Sequence, residues 1–198
     1  EKGVADSALI ELDTETLDVK QMISNLNIYG SVSLAATYDQ KRSLTTFTMY
    51  NFTEDAHRLI TVDTRSGKVV YSPMLRDAEW HTLAMAYDEN TDRLIVLWSY
   101  NNYAPLYLKT MDRQSAHYFK DNVTVIDWKA EHDSMTTDAI PFAKDSVHGH
   151  LFALVSSRGL NQYSVLIDLK SMTVINRTFL KYPDVVGFDI TAFYVESF

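Results

Sequence analysis

The chain repeats itself, and that repetition limits its possible folds more than any other feature. The stretch from His57 to Tyr100 reads HRLITVDTRSGKVV, then a loop, then WHTLAMAYDENTDRLIVLWSY. It holds four short β-type runs and two tight turns, TRSG and DENTD. Text of the same kind lies on both sides. The run Val62 to Val70 has partners in Leu12 to Val19, Met111 to Phe119 and Ile167 to Ile175. The Asp residues that anchor them, Asp13, Asp63, Asp112 and Asp168, are spaced by 50, 49 and 56 residues. A second series, Asp39, Asp88 and Asp145, is spaced by 49 and 57. The two series agree on the period and on where it stretches. A fixed period of this length marks a fold built from stacked supersecondary units.

Each repeat supplies strand positions a, b, c and d, read as short apolar or alternating runs bounded by turn residues. In the first repeat these are Ala8 to Leu12, Asp18 to Ile23, Ser31 to Tyr38 and Leu44 to Tyr50. The second gives Leu59 to Val62, Lys68 to Tyr71, His81 to Tyr87 and Leu94 to Tyr100. The third gives Leu106 to Met111, His117 to Lys120, Ala139 to Ala143 and Leu151 to Ser156. The fourth gives Tyr163 to Ile167, Thr173 to Phe179 and Val186 to Phe193, with too few residues after it for a full position d. No window sustains a helical period, so the pattern predicts an all-β fold. The anchor Asp residues read as turn formers, whose carboxylates accept hydrogen bonds from backbone two residues on.

Four-stranded units of this length resemble the blades of β-propellers. The runs LITVDTRSGKVV and YDENTDRLIVL carry the resemblance, which is to propellers with degenerate repeats; no WD dipeptide of the WD40 kind is present. The resemblance implies a single domain of four blades of four antiparallel strands, with repeats near 8–56, 57–104, 105–161 and 162–198. Hemopexin-like domains are four-bladed and similar in size. The last blade would be closed by the N-terminal segment, with Lys2 to Ala5 as a short outer strand. A piece of a larger propeller and a β-sandwich are the alternatives.

Composition removes several function classes. A net charge of −8 and a pI near 5.1 disfavour nucleic acid, whose phosphates need a basic footprint. The absence of cysteine excludes disulfides, Cys-zinc sites and thiol catalysis. No apolar run reaches the length of a membrane-spanning helix. The first residue is Glu1, which fits a processed or trimmed chain. With the sequons at Asn51, Asn122 and Asn176, this points to a secreted or extracellular glycoprotein, a cytoplasmic location being the alternative. Asn51 and Asn122 are the expected glycosylation sites, because Asn176 falls in position b between neighbouring strands.

No catalytic signature is present: no GxSxG, no phosphate-binding loop, no dinucleotide fingerprint and no HExxH. The starts of the a strands, expected to line a central channel, offer no carboxylate ring. No cofactor and no metal site is expected, and His148 and His150 fall in a c–d turn. Function is therefore expected in loops, which carry it more often than the scaffold. The b–c and d–a connections should share one face. Tyr29, Trp80, Trp128 and Tyr182 fall in b–c connections and Tyr103 in a d–a connection. The third b–c connection is lengthened over Asn122 to Asp138, which adds His132. These aromatics suit a protein partner, self-assembly or a stacked sugar; otherwise they plug the core ends. The leading expectation is a non-enzymatic binding or assembly module. A carbohydrate-binding propeller using Trp80, Trp128 and Tyr103 is the second reading, and a metal-dependent hydrolase or lyase with a channel site the third.

Overall fold

A computed structural model describes residues 6–13, 15–75, 82–101, 103–119, 123–129, 134, 140, 142–157 and 162–180. Thirteen strands and no helix are present among them: β1 (Asp6–Leu12), β2 (Val19–Asp39), β3 (Leu44–Asn51), β4 (Ala56–Asp63), β5 (Lys68–Tyr71), β6 (Thr82–Asp88), β7 (Arg93–Trp98), β8 (Leu106–Met111), β9 (Val123–Ile126), β10 (Phe142–Asp145), β11 (His150–Ser156), β12 (Gln162–Asp168) and β13 (Thr173–Leu180). All pairs are antiparallel between sequence neighbours. The second sheet runs β6-β7-β8-β9 and the third β10-β11-β12-β13. In the first, β2-β3-β4-β5 forms the same meander, and β1 adds a fifth strand through the long β2.

One turn design makes most of these hairpins. Eight turns begin with Asp or Asn and place their fifth residue at positive φ. The fifth residues are Leu17, Ser43, Asp55, Gly67, Asp92, Ala116, Gly149 and Met172, with φ between 52° and 70°. In each, the first side chain accepts a backbone N–H two or three residues on, as in Glu15 and Thr16 to Asp13 at 2.9 and 3.0 Å, or Lys170 and Ser171 to Asp168 at 2.7 and 3.1 Å. The repeated Asp is thus a turn former, as its spacing predicts.

The sheets are cut half a repeat away from the expected boundaries. Positions c and d of one repeat pair with a and b of the next, so a sheet reads c-d-a-b. The reason is connection length. Tight antiparallel hairpins hold c to d, d to a and a to b within one sheet, whereas b leads to c across 72–81 and 127–141. The first b–c connection does not exist: β2 runs unbroken from Val19 to Asp39. Its first part pairs with β1 and its second, from Gly30, with β3. Gly30 marks the transfer, since a Cβ there would lie 2.1 Å from the Tyr50 carbonyl oxygen. The third b strand also lies later than expected. Tyr118 makes a single bridge to Met111, and β9 then pairs with β8 at Val123 to Ile126. Part of the expected insertion is therefore sheet, and the excess falls after Ile126.

The first strands of the sheets lie side by side. β6 packs against β2 and β10 against β6; the Tyr87 N–H donates to Thr37 Oγ1 at 2.9 Å and the Ile140 N–H to the Leu83 carbonyl at 3.2 Å. The strands expected at a channel, position a, are instead the third of each c-d-a-b meander (β4, β8, β12), and it is the strands at position c that lie against one another. Three apolar clusters fill the spaces between layers. Leu9 and Leu26 of the β1–β2 hairpin meet Phe47, Met49, Ile60 and Val62. Leu59 and Leu75 meet Met85, Leu94, Val96 and Met111 of the second sheet. The opposite face of that sheet, with Leu97 and Leu108, meets Leu151, Val155, Val165 and Ile167 of the third.

The closing strand expected at Lys2 to Ala5 and the strand expected at Val186 to Phe193 lie outside the described residues, as do Trp80, Asn122, His132 and Tyr182.

Candidate binding surface

Because the first strands run side by side in the same direction, hairpins of one kind share an end of the molecule. The β2–β3, β6–β7, β10–β11, β4–β5, β8–β9 and β12–β13 turns form one end. The β3–β4 and β7–β8 turns form the other.

The two ends differ in chemistry. At the first, charged groups tie three sheets together. Arg113, in the β8–β9 turn, reaches Asp39 Oδ2 of the first sheet at 3.2 Å, both side chains nearly inaccessible. Its guanidinium also covers the Tyr87 ring at 4.9 Å. Arg42 bonds Asp92 at 2.6 Å, and the Tyr87 hydroxyl donates to the same carboxylate at 2.8 Å. Lys144 of the third sheet donates to Asp88 at 3.1 Å and to the Tyr87 carbonyl at 3.2 Å. Arg42 holds the Asp92 carboxyl below its usual range. Burial works against ionisation of Asp88, but the Thr91 hydroxyl and the Lys144 ammonium outweigh it and hold that carboxyl low as well. Burial, then the bond to Asp92, pushes the Tyr87 phenol up to about 12. No spacing rule flags this network. The one signal was Arg113 itself, standing where the other turns carry Thr14, Thr64 and Leu169.

Aromatic side chains dominate the opposite end. Tyr29 is 46% exposed and lies tilted, at 5.1 Å, against Phe52, which is 49% exposed. Tyr50 lies edge-on to Phe52 at 5.3 Å and beside His57 at 4.8 Å. In the next such turn Tyr100 and Tyr103 are 62% and 63% exposed. Tyr100 leans on Trp98 at 4.2 Å, and Lys109 Nζ lies 3.6 Å from that indole's centroid. The Asn51 and Asn101 carboxamides fix both turns, Asn101 accepting from the Tyr103 and Ala104 N–H groups at 2.8 and 2.9 Å. Asp55 accepts from the Tyr50 hydroxyl and raises that phenol above its ordinary range. Arg58 bonds Glu54 and lowers its carboxyl. Rigid aromatic faces beside carboxylates can hold a ligand that pairs apolar surface with positive charge.

The expected site residues divide accordingly. Tyr103 is exposed in its turn, as its position suggested. Tyr29 stands on the expected end but within β2 rather than in a loop. Trp128 is not on the surface. It is fully buried between the second and third sheets, at 6.0 Å and nearly perpendicular to Tyr163. Its apolar neighbours in that core draw it inward. Asn51 opens the β3–β4 turn, half-buried. Asn176, expected to be hindered, is exposed on β13, which pairs with β12 along one edge only among the described residues. Phe52 and Tyr100 were not singled out from sequence, although Phe52 follows the sequon Asn51. His148 and His150 stack at 6.1 Å on the charged end. No group of three His, Asp or Glu side chains is placed to hold a metal among the described residues.

No family model and no curated protein matches the chain. Among solved structures it is similar to a hydrazine synthase of Kuenenia stuttgartiensis, with a TM-score of 0.51 and 15% identity over 87% of this chain and 43% of that one. A luciferin-regenerating enzyme gives a TM-score of 0.45 and 16% identity over 96% of this chain and 56% of that one. The chain spans about half the length of these structures. The first likeness is one of fold alone, an all-β arrangement of four-stranded antiparallel sheets, and the second is too loose to carry an argument.

Proposed function

We propose that the chain is a β-propeller module of four blades, completed by its N-terminal segment, and that it binds a protein partner without catalysis. The exposed aromatics Tyr29, Phe52, Tyr100 and Tyr103, gathered at one end of a rigid stack of sheets, carry this reading. Tyrosine and phenylalanine offer large contact area with few rotatable bonds, which suits them as anchors. The carboxylates of Glu54 and Asp55 and the net charge of −8 favour a partner with basic residues around an apolar patch. The module works outside the cell in this reading, with glycans on Asn51 and Asn122. A glycan on Asn51 would stand beside Phe52 and leave Tyr100 and Tyr103 as the open part of the surface.

The test is affinity capture with the wild-type chain, with Phe52→Ser/Tyr103→Ser, and with a control, Val147→Ser, at the charged end. Partners lost with the double variant but kept by the control support the reading, given an unchanged melting temperature. Equal capture by all three, or a signal on a glycan array that the double variant abolishes, would replace it. Mass spectrometry of secreted material checks Asn51 and Asn122.

A further inference from the structure

The third sheet is built to be covered on the face that the described residues leave open. Along β11 and β12 burial alternates strictly: Leu151, Ala153, Val155, Tyr163, Val165 and Ile167 are buried, while Phe152, Leu154 and Leu166 are half-exposed. The repeat shows what the second set should look like. Counted from the turns, Phe152 and Leu154 occupy the places of Ile95 and Leu97 in the second sheet, which are 2% and 0% exposed. In the first sheet the same places hold Thr46 and Thr48, at 1% and 3%. Those residues are covered because another sheet follows. The third sheet carries larger apolar groups at these places than the first, yet they are partly open to water.

We propose that Val185 to Val195, VVGFDITAFYV, docks on this face as the first strand of a fourth sheet. Three observations select this segment of the chain as the occupant. The first is its place in sequence. β6 follows β5 and β10 follows β9, and each becomes the first strand of the next sheet beside its predecessor. The segment follows β13 in the same way. The second is its text. Ile190 to Glu196, ITAFYVE, aligns with Thr82 to Asp88, TLAMAYD, and sets Glu196 where the turn-forming Asp39, Asp88 and Asp145 stand. Asp168 to Glu196 is 28 residues, within the range set by 26, 25 and 33 for the earlier repeats. The third is chemistry. Ten of the eleven residues are uncharged, as suits a strand buried on both faces like β6.

This does not rest on the partner-binding reading, and it holds whether or not the ring closes on the N-terminal hairpin. The alignment names its own test. Ala143 and Val195 occupy the places of Ala86 and Lys144, and of Thr37 and Tyr87, where the Tyr87 N–H meets Thr37 Oγ1 at 2.9 Å. The natural chain has no cysteine, so an engineered pair reports without interference. Ala143→Cys/Val195→Cys should form an intramolecular disulfide under mild oxidation, read as a faster-migrating monomer on a non-reducing gel. Ala86→Cys/Lys144→Cys, at the same places between the packed strands β6 and β10, serves as the positive control. In the chain without cysteines, Phe193→Asp should lower the melting temperature by roughly 5 °C or more, and Val147→Asp, at an exposed turn, should not. Free thiols or only intermolecular disulfides in the first pair, with the control pair closed, overturn the proposal. So does an unchanged melting temperature for Phe193→Asp.

Discussion

The second and third sheets share strand order, hairpin design and length of repeat, yet they differ in what their two faces touch. Every residue of β6 and five of the six in β7 are buried. In β11 and β12 only alternate residues are. A strand buried on both faces reads as a continuous apolar run, and a strand covered on one face reads as alternation. The text follows this rule only in part. LIVLW in β7 is apolar throughout, but so is LFALV in β11. β11 has the composition of a doubly covered strand and the burial of a singly covered one. The N-terminal hairpin shows the same mismatch. Ile10 and Leu12 are 44% and 43% exposed, although Ile60 and Val62, at the same places one repeat later, are 0% exposed. The two ends of the stack thus carry the apolar residues of interior layers.

Trp128→Ala should have the largest effect. The indole is fully buried between the compared sheets, and removing a buried Trp costs about 3–5 kcal/mol. Chemical denaturation would measure it. A loss below about 1 kcal/mol would mean that the two sheets do not share this core.

Leu97→Ala and Leu154→Ala test the comparison most directly, since the two residues occupy one repeat position. Leu97 should cost about 2–5 kcal/mol as a buried leucine. For Leu154, half-exposed on the described residues, a cost of about 1 kcal/mol is expected from the area it hides. Equal costs in urea unfolding would show that the open face of the third sheet is covered in solution, as the docking of Val185 to Val195 requires.

The response to pH should report the charged network of the second sheet on top of a shared acid response, since the turn carboxyls Asp63, Asp145 and Asp168 of the other sheets are held low as well. Asp88 and Asp92 of the second sheet are held low by their partners. A depressed carboxyl favours the folded state above its unfolded value, about 3.9, and loses that contribution as pH falls through the folded value. Tyr87, raised to about 12, stabilises fully below about pH 10 and loses its contribution as pH rises toward 12. Melting temperature should therefore fall below about pH 4 and above about pH 10. Asp92→Asn should flatten the acid limb and Tyr87→Phe the alkaline one. A Tyr87→Phe variant with an undiminished alkaline fall would place the responsible group elsewhere.

Much of this fold was legible in particular residues. The Asp series marked seven turns correctly, because an Asx-turn is a local interaction that sequence neighbours decide. Sheet boundaries were harder to read, because strands on either side of a tight turn look alike, and only the longer b–c connections reveal the cut. The continuous β2 hid its double role, since Gly30 permits a close approach that no propensity encodes. At the candidate surface Tyr103 was readable from its turn. Trp128 was not, because an indole in a connection looks the same whether a core or water receives it. The pairing of Arg113 with Asp39 joins residues 74 apart, beyond any local pattern.

The smallest predicted effect concerns the turn design shared by both ends of the stack and its middle. A side chain at positive φ strains the backbone by about 1–2 kcal/mol, and glycine removes that cost while adding some entropy to the unfolded chain. Leu17 has φ of 61° and is 72% exposed, so little packing offsets the strain. Leu17→Gly should raise stability by roughly 0.5–1 kcal/mol. Asp92 has φ of 55° in the equivalent place of the second sheet. There the carboxylate holds Arg42 and the Tyr87 hydroxyl, so Asp92→Gly should lower stability in spite of the same backbone relief. Thermal melts of the two variants should move in opposite directions. A matching rise in both would mean that the charged cluster adds nothing to the middle of the stack, and that turn strain alone sets the stability of these hairpins.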